Sequence, residues 1–259
     1  MPKIAITGKG GVGKTTLAAL LAYHYAQAGQ PVIAIDADPA ASLAYALGIP
    51  DDLNAKLVPI AAMDDLIYER TGAKPGTSGG FFKINPRVDD IPERFSVNHR
   101  GIRLLQLGTI STGGSGCICP ESAMLKSLVT HVILFRNEVM ILDMEAGLEH
   151  LGRATAGAVD AFLIVVEPGR RSLSTAHAIR KLAADIGVTH CYVVGNKVRT
   201  EADRDYIQAG LDADLPLIGI LPYSSQAIEA DMQNTAIFDT APELVKAADQ
   251  LAEMLVAAQ

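Results

Sequence analysis

Gly8-Lys9-Gly10-Gly11-Val12-Gly13-Lys14-Thr15-Thr16 is the stretch on which the reading of this chain turns. It follows an apolar run, Ile4-Ala5-Ile6, and opens into Leu17, Leu20, Leu21 and Ala22, which recur at helical spacing. Strand, glycine loop and helix, in that order, are the setting in which G-x-x-x-x-G-K-[ST] binds phosphate. The glycines let backbone N–H groups from Gly10 to Gly13, Val12 included, turn inward onto phosphate oxygens. The helix that follows adds its positive dipole end. Lys14 then reaches the β- and γ-phosphates and Thr15 offers its hydroxyl to Mg²⁺, with Thr16 closing the nucleotide-binding stretch. The pattern implies a nucleoside triphosphate.

The same alternation continues outward. Val32-Ile33-Ala34-Ile35 is an unbroken apolar strand, as buried parallel sheets require. Gly101 to Leu107, Val139 to Asp143, Ala161 to Val166, Cys191 to Gly195 and Leu217 to Leu221 read as further strands. Helical patterns lie over Lys14–Gln27, Met63–Arg70, from Glu121 onward, Ser172–Ile186 and Pro242–Gln259. The expected fold is α/β: a doubly wound, mostly parallel sheet with helices on both faces, forming one nucleotide-binding domain over residues 1–259. Residues 51–100 are harder to read and are assigned to an insertion available to a partner. Within them Lys74 to Gly80 reads as a loop, and Phe81 to Pro86 as a short edge segment.

Composition narrows the function classes. At 259 residues and 49% hydrophobic, the chain can bury a full core. A net charge of −7 and a pI near 5.3 argue against nucleic acid or an anionic membrane as the main partner. No secretory leader and no membrane span are expected, and three cysteines do not make a disulfide framework. A reduced, cytoplasmic protein is the expectation.

Carboxylates stand where strands end. Asp36-Ala37-Asp38-Pro39 follows the second strand, and Pro39 blocks immediate helix continuation, keeping both acids on the sheet's C-terminal rim. One of them also suits a plain helix cap. Asp143 ends another strand, the position of the second magnesium-linked element in phosphate-loop enzymes. Cys117 and Cys119 lie in a glycine-rich loop just before a helix. Idle thiols, a redox switch and a metal site all remain open for this pair. Two thiolates do not complete a tetrahedral shell, whereas a two-fold dimer supplies four. Cys191, alone in an apolar strand, reads as a core residue.

Lys9-Gly-Gly-x-Gly-Lys-Thr-Thr16 resembles the deviant phosphate loop of the MinD/ParA/nitrogenase-iron-protein class. A solvated lysine on a turn is the plain reading of Lys9. The resemblance implies instead that Lys9 reaches across a homodimer to the partner's nucleotide, as an arginine finger would. It also implies that Asp38 orients the attacking water while Asp36 supports the magnesium shell. Asp143-Met-Glu-Ala-Gly-Leu-Glu-His150 resembles the second switch. It lacks the cysteine that holds a cluster in the nitrogenase iron protein, and His150 either joins a site or packs on a helix.

Asn196-Lys197 resembles the base-recognition loop of GTPases, but Arg199 stands where guanine needs an aspartate, so ATP is expected. Pro222-Tyr223 is similar to the segment that packs on the base. The C-terminal helix carries one lysine, Lys246, and is unlike a cationic membrane anchor. The C-x-C pair resembles the CooC family, ATPases that mature the nickel–iron–sulfur centre of carbon monoxide dehydrogenase, with acetyl-CoA synthase served by a similar branch. That likeness implies Ni²⁺, or Zn²⁺, held between two chains by Cys117 and Cys119. A ParA/MinD-like switch without metal, and an iron–sulfur reductase, are the alternatives.

Overall fold

The computed structural model describes residues 1–76, 81–108, 119–145 and 158–257. In chain order the strands are β1 Lys3–Gly8, β2 Val32–Ala37, β3 Val97–His99, β4 Ile102–Gln106, β5 Val139–Met144, β6 Ala161–Val166, β7 Cys191–Val198 and β8 Leu217–Pro222. The first six helices are α1 Lys14–Gln27, α2 Leu43–Ala46, α3 Asp51–Asn54, α4 Asp64–Thr71, α5 Ile91–Phe95 and α6 Pro120–Phe135. There follow α7 Arg170–Asp185, α8 Glu201–Ala209, α9 Gln226–Gln233, α10 Ile237–Thr240 and α11 Pro242–Ala257.

The strands form one sheet in the order β3-β4-β2-β5-β1-β6-β7-β8, parallel throughout except for the β3–β4 pair. Successive residues of a strand face opposite sides, and here both sides are buried. Ala5, Ile33, Met140 and Phe162 join one core with α4, α6 and α7. Ile4, Ala34, Ile141 and Leu163 join the other, with α1, α10 and α11. This explains the unbroken apolar runs, since every strand position in the middle of the sheet lies under a helix. The doubly wound architecture expected from the sequence is therefore the one observed. Among the described residues no helix is long and apolar enough to cross a membrane.

Two local expectations are corrected. Residues 81–86 form no strand: Phe81 and Ile84 are exposed, and the free edge of β4 is taken instead by β3. Three residues are too few for alternation to be visible in the sequence. In addition, β7 does not stop at Gly195 but carries Asn196 and Lys197 to the rim, with irregular register against β8. The expected loop at 77–80, the loop containing Cys117 and the second-switch segment with His150 lie wholly or partly outside the described residues.

One polar anchor was not anticipated. The Lys3 ammonium donates to the carbonyl oxygens of Val132, Arg136 and Glu138 at 3.3, 2.7 and 2.8 Å, tying the start of β1 to the α6–β5 turn. Burial holds its pKa below the usual lysine range, and Glu138 opposes that shift. Lys3→Met keeps the apolar stem but leaves three carbonyls without this donor. A loss of about 1–3 kcal/mol in unfolding free energy is expected, read from denaturant midpoints. An unchanged midpoint would remove Lys3 from the anchors of the fold.

Candidate nucleotide site

The phosphate loop leaves β1 at the centre of the sheet and enters α1 at Lys14. Two of its glycines are required by close approach. Gly8 adopts φ 148° with its Cα against the Val165 carbonyl, and Gly13 adopts φ 96° against the Asn196 amide. A Cβ at either position would overlap its neighbour, so the loop is locked to β6 and β7.

The register of the sheet assembles the acids. Asp36 on β2 lies directly opposite Asp143 on β5. The Thr15 hydroxyl, in the first turn of α1, donates to Asp143 Oδ2 at 2.7 Å and lies 3.3 Å from the Ser42 hydroxyl. Asp143 is fully buried, and its Oδ1 has no hydrogen-bond partner. Burial pushes the Asp143 carboxyl up to about 7; the Thr15 bond opposes this and Asp36 adds to it. Asp36 is likewise pushed up to about 6 by burial, against the pull of two backbone donors. A hard divalent cation fits here: the donors are oxygens, and a buried carboxylate oxygen lacks a partner.

Asp36 and Asp38 have distinct surroundings. Both Asp36 oxygens accept backbone N–H groups, from Asp38 at 3.1 Å and from Leu43 at 2.9 Å. Asp36 thus organises the turn between β2 and α2, the cap-like reading the sequence left open. Asp38 Oδ2 lies 3.5 Å from the Lys14 ammonium, and its Oδ1 accepts from the Ala40 N–H. Lys14 is itself buried. Asp38 is therefore the acid that stands beside Lys14.

On the other side of the loop Asn196 donates to the Val12 carbonyl at 2.7 Å and Lys197 to the Gly11 carbonyl at 2.6 Å. The strand extension that carries them buttresses the loop from behind. Arg199 stacks 4.1 Å over the Tyr223 ring, and both line a cavity of about 740 Å³ that also takes in Gly13, Thr16 and Pro222. An Arg–aromatic wall at the mouth of such a cavity suits a planar base. Lys9 does not lean on the phosphate end; its ammonium lies 3.8 Å from Glu167.

Cys119 is buried at the N-cap of α6, where its sulfur accepts the Ser122 N–H at 3.4 Å. Cys117 lies outside the described residues. Among the described residues no group of three or more His, Cys, Asp or Glu side chains gathers as a metal site. Cys191 is buried in the core, where burial pushes its thiol up to about 12. Sequence reasoning missed Ser42 and Glu167. Glu167 had a usable signal, an acid directly after an apolar strand, which is the position that singled out Asp143.

The raised carboxyls carry a sign. Folded Asp36 and Asp143 bind protons more tightly than they do in the unfolded chain, so their ionisation costs stability as pH rises from about 4 to about 7. In metal-free protein Asp143→Asn removes that group's share. The variant is expected to lose about 2–3 kcal/mol less than the parent between pH 5 and 7.5, read from denaturant titrations. Parallel pH curves for the two proteins would contradict the raised value.

Known proteins share this fold and sequence pattern. Residues 3–237 match the CobQ/CobB/MinD/ParA nucleotide binding domain. The chain is 47% identical over 240 residues to the carbon monoxide dehydrogenase accessory protein CooC of Rhodospirillum rubrum, covering 93% of this chain and 90% of that protein. It is 47% identical over 231 residues to an uncharacterised ATP-binding protein of Methanocaldococcus jannaschii, covering 88% of each. The MinC:MinD cell division complex of Aquifex aeolicus superposes with a TM-score of 0.71 at 21% identity, over 99% of this chain and 96% of that one. The cell division ATPase MinD of Pyrococcus furiosus gives 0.64 at 19%, over the full length of both. The chain belongs to the CobQ/CobB/MinD/ParA family of nucleotide-binding domains, the same family as the accessory protein CooC.

Proposed function

We propose that this ATPase is a dimerising metallochaperone that delivers nickel to carbon monoxide dehydrogenase, or to the similar acetyl-CoA synthase, during maturation of its metal centre. The observation that carries the reading is the 47% identity to CooC over nine-tenths of that protein's length. The Cys117-x-Cys119 pair supports it, because soft thiolates suit nickel and zinc alike and two chains supply four of them. The cytoplasm is the compartment in which such thiols stay reduced.

The division of labour follows the site. Lys14 binds the phosphates, the loop from Gly10 to Thr16 cradles them, and Asn196, Lys197 and Pro222 flank the nucleotide. Thr15 and Asp143 would hold Mg²⁺, with Asp36 behind them supporting the shell and fixing the loop. Asp38 orients the attacking water. Lys9 crosses to the nucleotide of the second chain, so closure of the dimer and hydrolysis depend on each other. Closure brings the C-x-C segments of two chains together around one metal ion, and hydrolysis releases it.

Two experiments test this. Lys14→Ala is expected to abolish ATP turnover. Lys9→Ala is expected to keep nucleotide affinity within about threefold while losing dimer formation and at least about 100-fold in turnover, as for loss of a finger residue. Parent-like turnover in Lys9→Ala would end the trans reading. For the cargo, reduced protein titrated with Ni²⁺ or Zn²⁺ and then sedimented is expected to take one metal per two chains. Cys117→Ser or Cys119→Ser should abolish that binding with ATP binding intact. One metal per single chain, or unchanged affinity in the double serine variant, would leave an ATPase switch without a metal role.

A further inference from the structure

Glu167 lies between two lysines of the site, Lys9 and Lys197, and lines the same cavity as Gly13 and Thr16. It follows β6, and its own N–H donates to the Ser172 hydroxyl at 3.0 Å; Ser172 is buried in the first turn of α7. The preceding strand is pinned as well, because Gly8 rests on the Val165 carbonyl. The main chain at Glu167 is therefore fixed, which sets where its side chain starts. One oxygen lies 3.3 Å from the Lys197 ammonium, which also donates to the Gly11 carbonyl at 2.6 Å. The other lies 3.8 Å from the Lys9 ammonium.

The two lysines are held unequally. Lys197 has two acceptors from the loop and rim. Lys9 has the longer contact with Glu167, with side chains 37% and 31% exposed. A pair this open to solvent is weak and exchanges partners readily. A γ-phosphate on a second copy of the chain is a stronger acceptor for an ammonium than a half-solvated carboxylate already shared with Lys197.

We propose that Glu167 is a positioning residue that keeps Lys9 turned onto its own chain until a nucleotide-loaded second copy takes the lysine over. The inference rests on the reading of Lys9 as a residue that acts in trans. Glu167 then sets the threshold for assembly: the chain closes on a partner only when the partner's triphosphate outcompetes the carboxylate. ADP, lacking the γ-phosphate, leaves Lys9 with Glu167.

The test is dimer formation followed by sedimentation as a non-hydrolysable ATP analogue is titrated with Mg²⁺. Glu167→Gln is expected to lower the analogue concentration at half-dimerisation by about two- to fivefold, the range of a weak ion pair. It should leave the affinity of the monomer for fluorescent ADP within twofold. Glu167→Asp, which withdraws the carboxylate by one methylene, should shift in the same direction and serves if the glutamine variant folds poorly. Lys9→Ala/Glu167→Gln should be as unable to dimerise as Lys9→Ala. An unchanged or raised midpoint in both Glu167 variants overturns the proposal, as does dimerisation regained in the double variant. A fall in midpoint matched by equally tightened ADP binding also overturns it. Normal dimerisation by Lys9→Ala alone would instead overturn the trans reading on which the proposal rests.

Discussion

Two carboxylates face each other across neighbouring strands, Asp36 on β2 and Asp143 on β5, and the rest of the site is arranged around them. Parallel pairing fixes their separation, burial raises the cost of ionising either, and the Asp36 charge makes ionisation of Asp143 harder still. The fold relieves this in two different ways. Asp36 is satisfied by backbone N–H groups from its own turn, whereas Asp143 keeps one oxygen with only Thr15 on its other side. That asymmetry makes one acid a brace of the loop and the other the natural contact for a cation. The Lys14 ammonium and Asp38 lie just outside the pair, where the reacting phosphate is expected.

The central sheet was legible because parallel strands covered on both faces need continuous apolar runs, and Val32–Ala37, Val139–Met144 and Ala161–Val166 supply them. The glycine loop was legible for a related reason: Gly8 and Gly13 stand where no side chain fits. What escaped was short or decided at a distance. The helices α2, α3 and α5 have four or five residues, too few to establish a period. β3 is recognisable as an edge only once β4 is in place to pair with it. Phe81 and Ile84 look like strand residues but are exposed, because that edge was already taken. Lys3 could not be found from the sequence, since its three acceptors lie more than a hundred residues away.

Within the site, the sequence singles out residue types that carry their own chemistry and passes over those defined by their neighbours. Lys14, Thr15, Asp38 and Asp143 stand together as expected. Asn196 and Lys197 do lie at the nucleotide loop, but as props beneath Val12 and Gly11, a role no motif announces. Glu167 and Ser42 have ordinary side chains and gain their interest from position alone.

The last helix lies outside the family match but inside the core. The family match ends at residue 237, inside the first turn of α10, yet α11 begins only at Pro242. Leu244, Ala248, Leu251 and Leu255 of that helix are buried in the same core as α1, and Asp249 reaches back to His24 at 2.6 Å. The helix that begins at Lys14 is therefore clamped on its outer side by a segment that the family match does not reach. In this architecture the tail belongs to the machinery of the first loop.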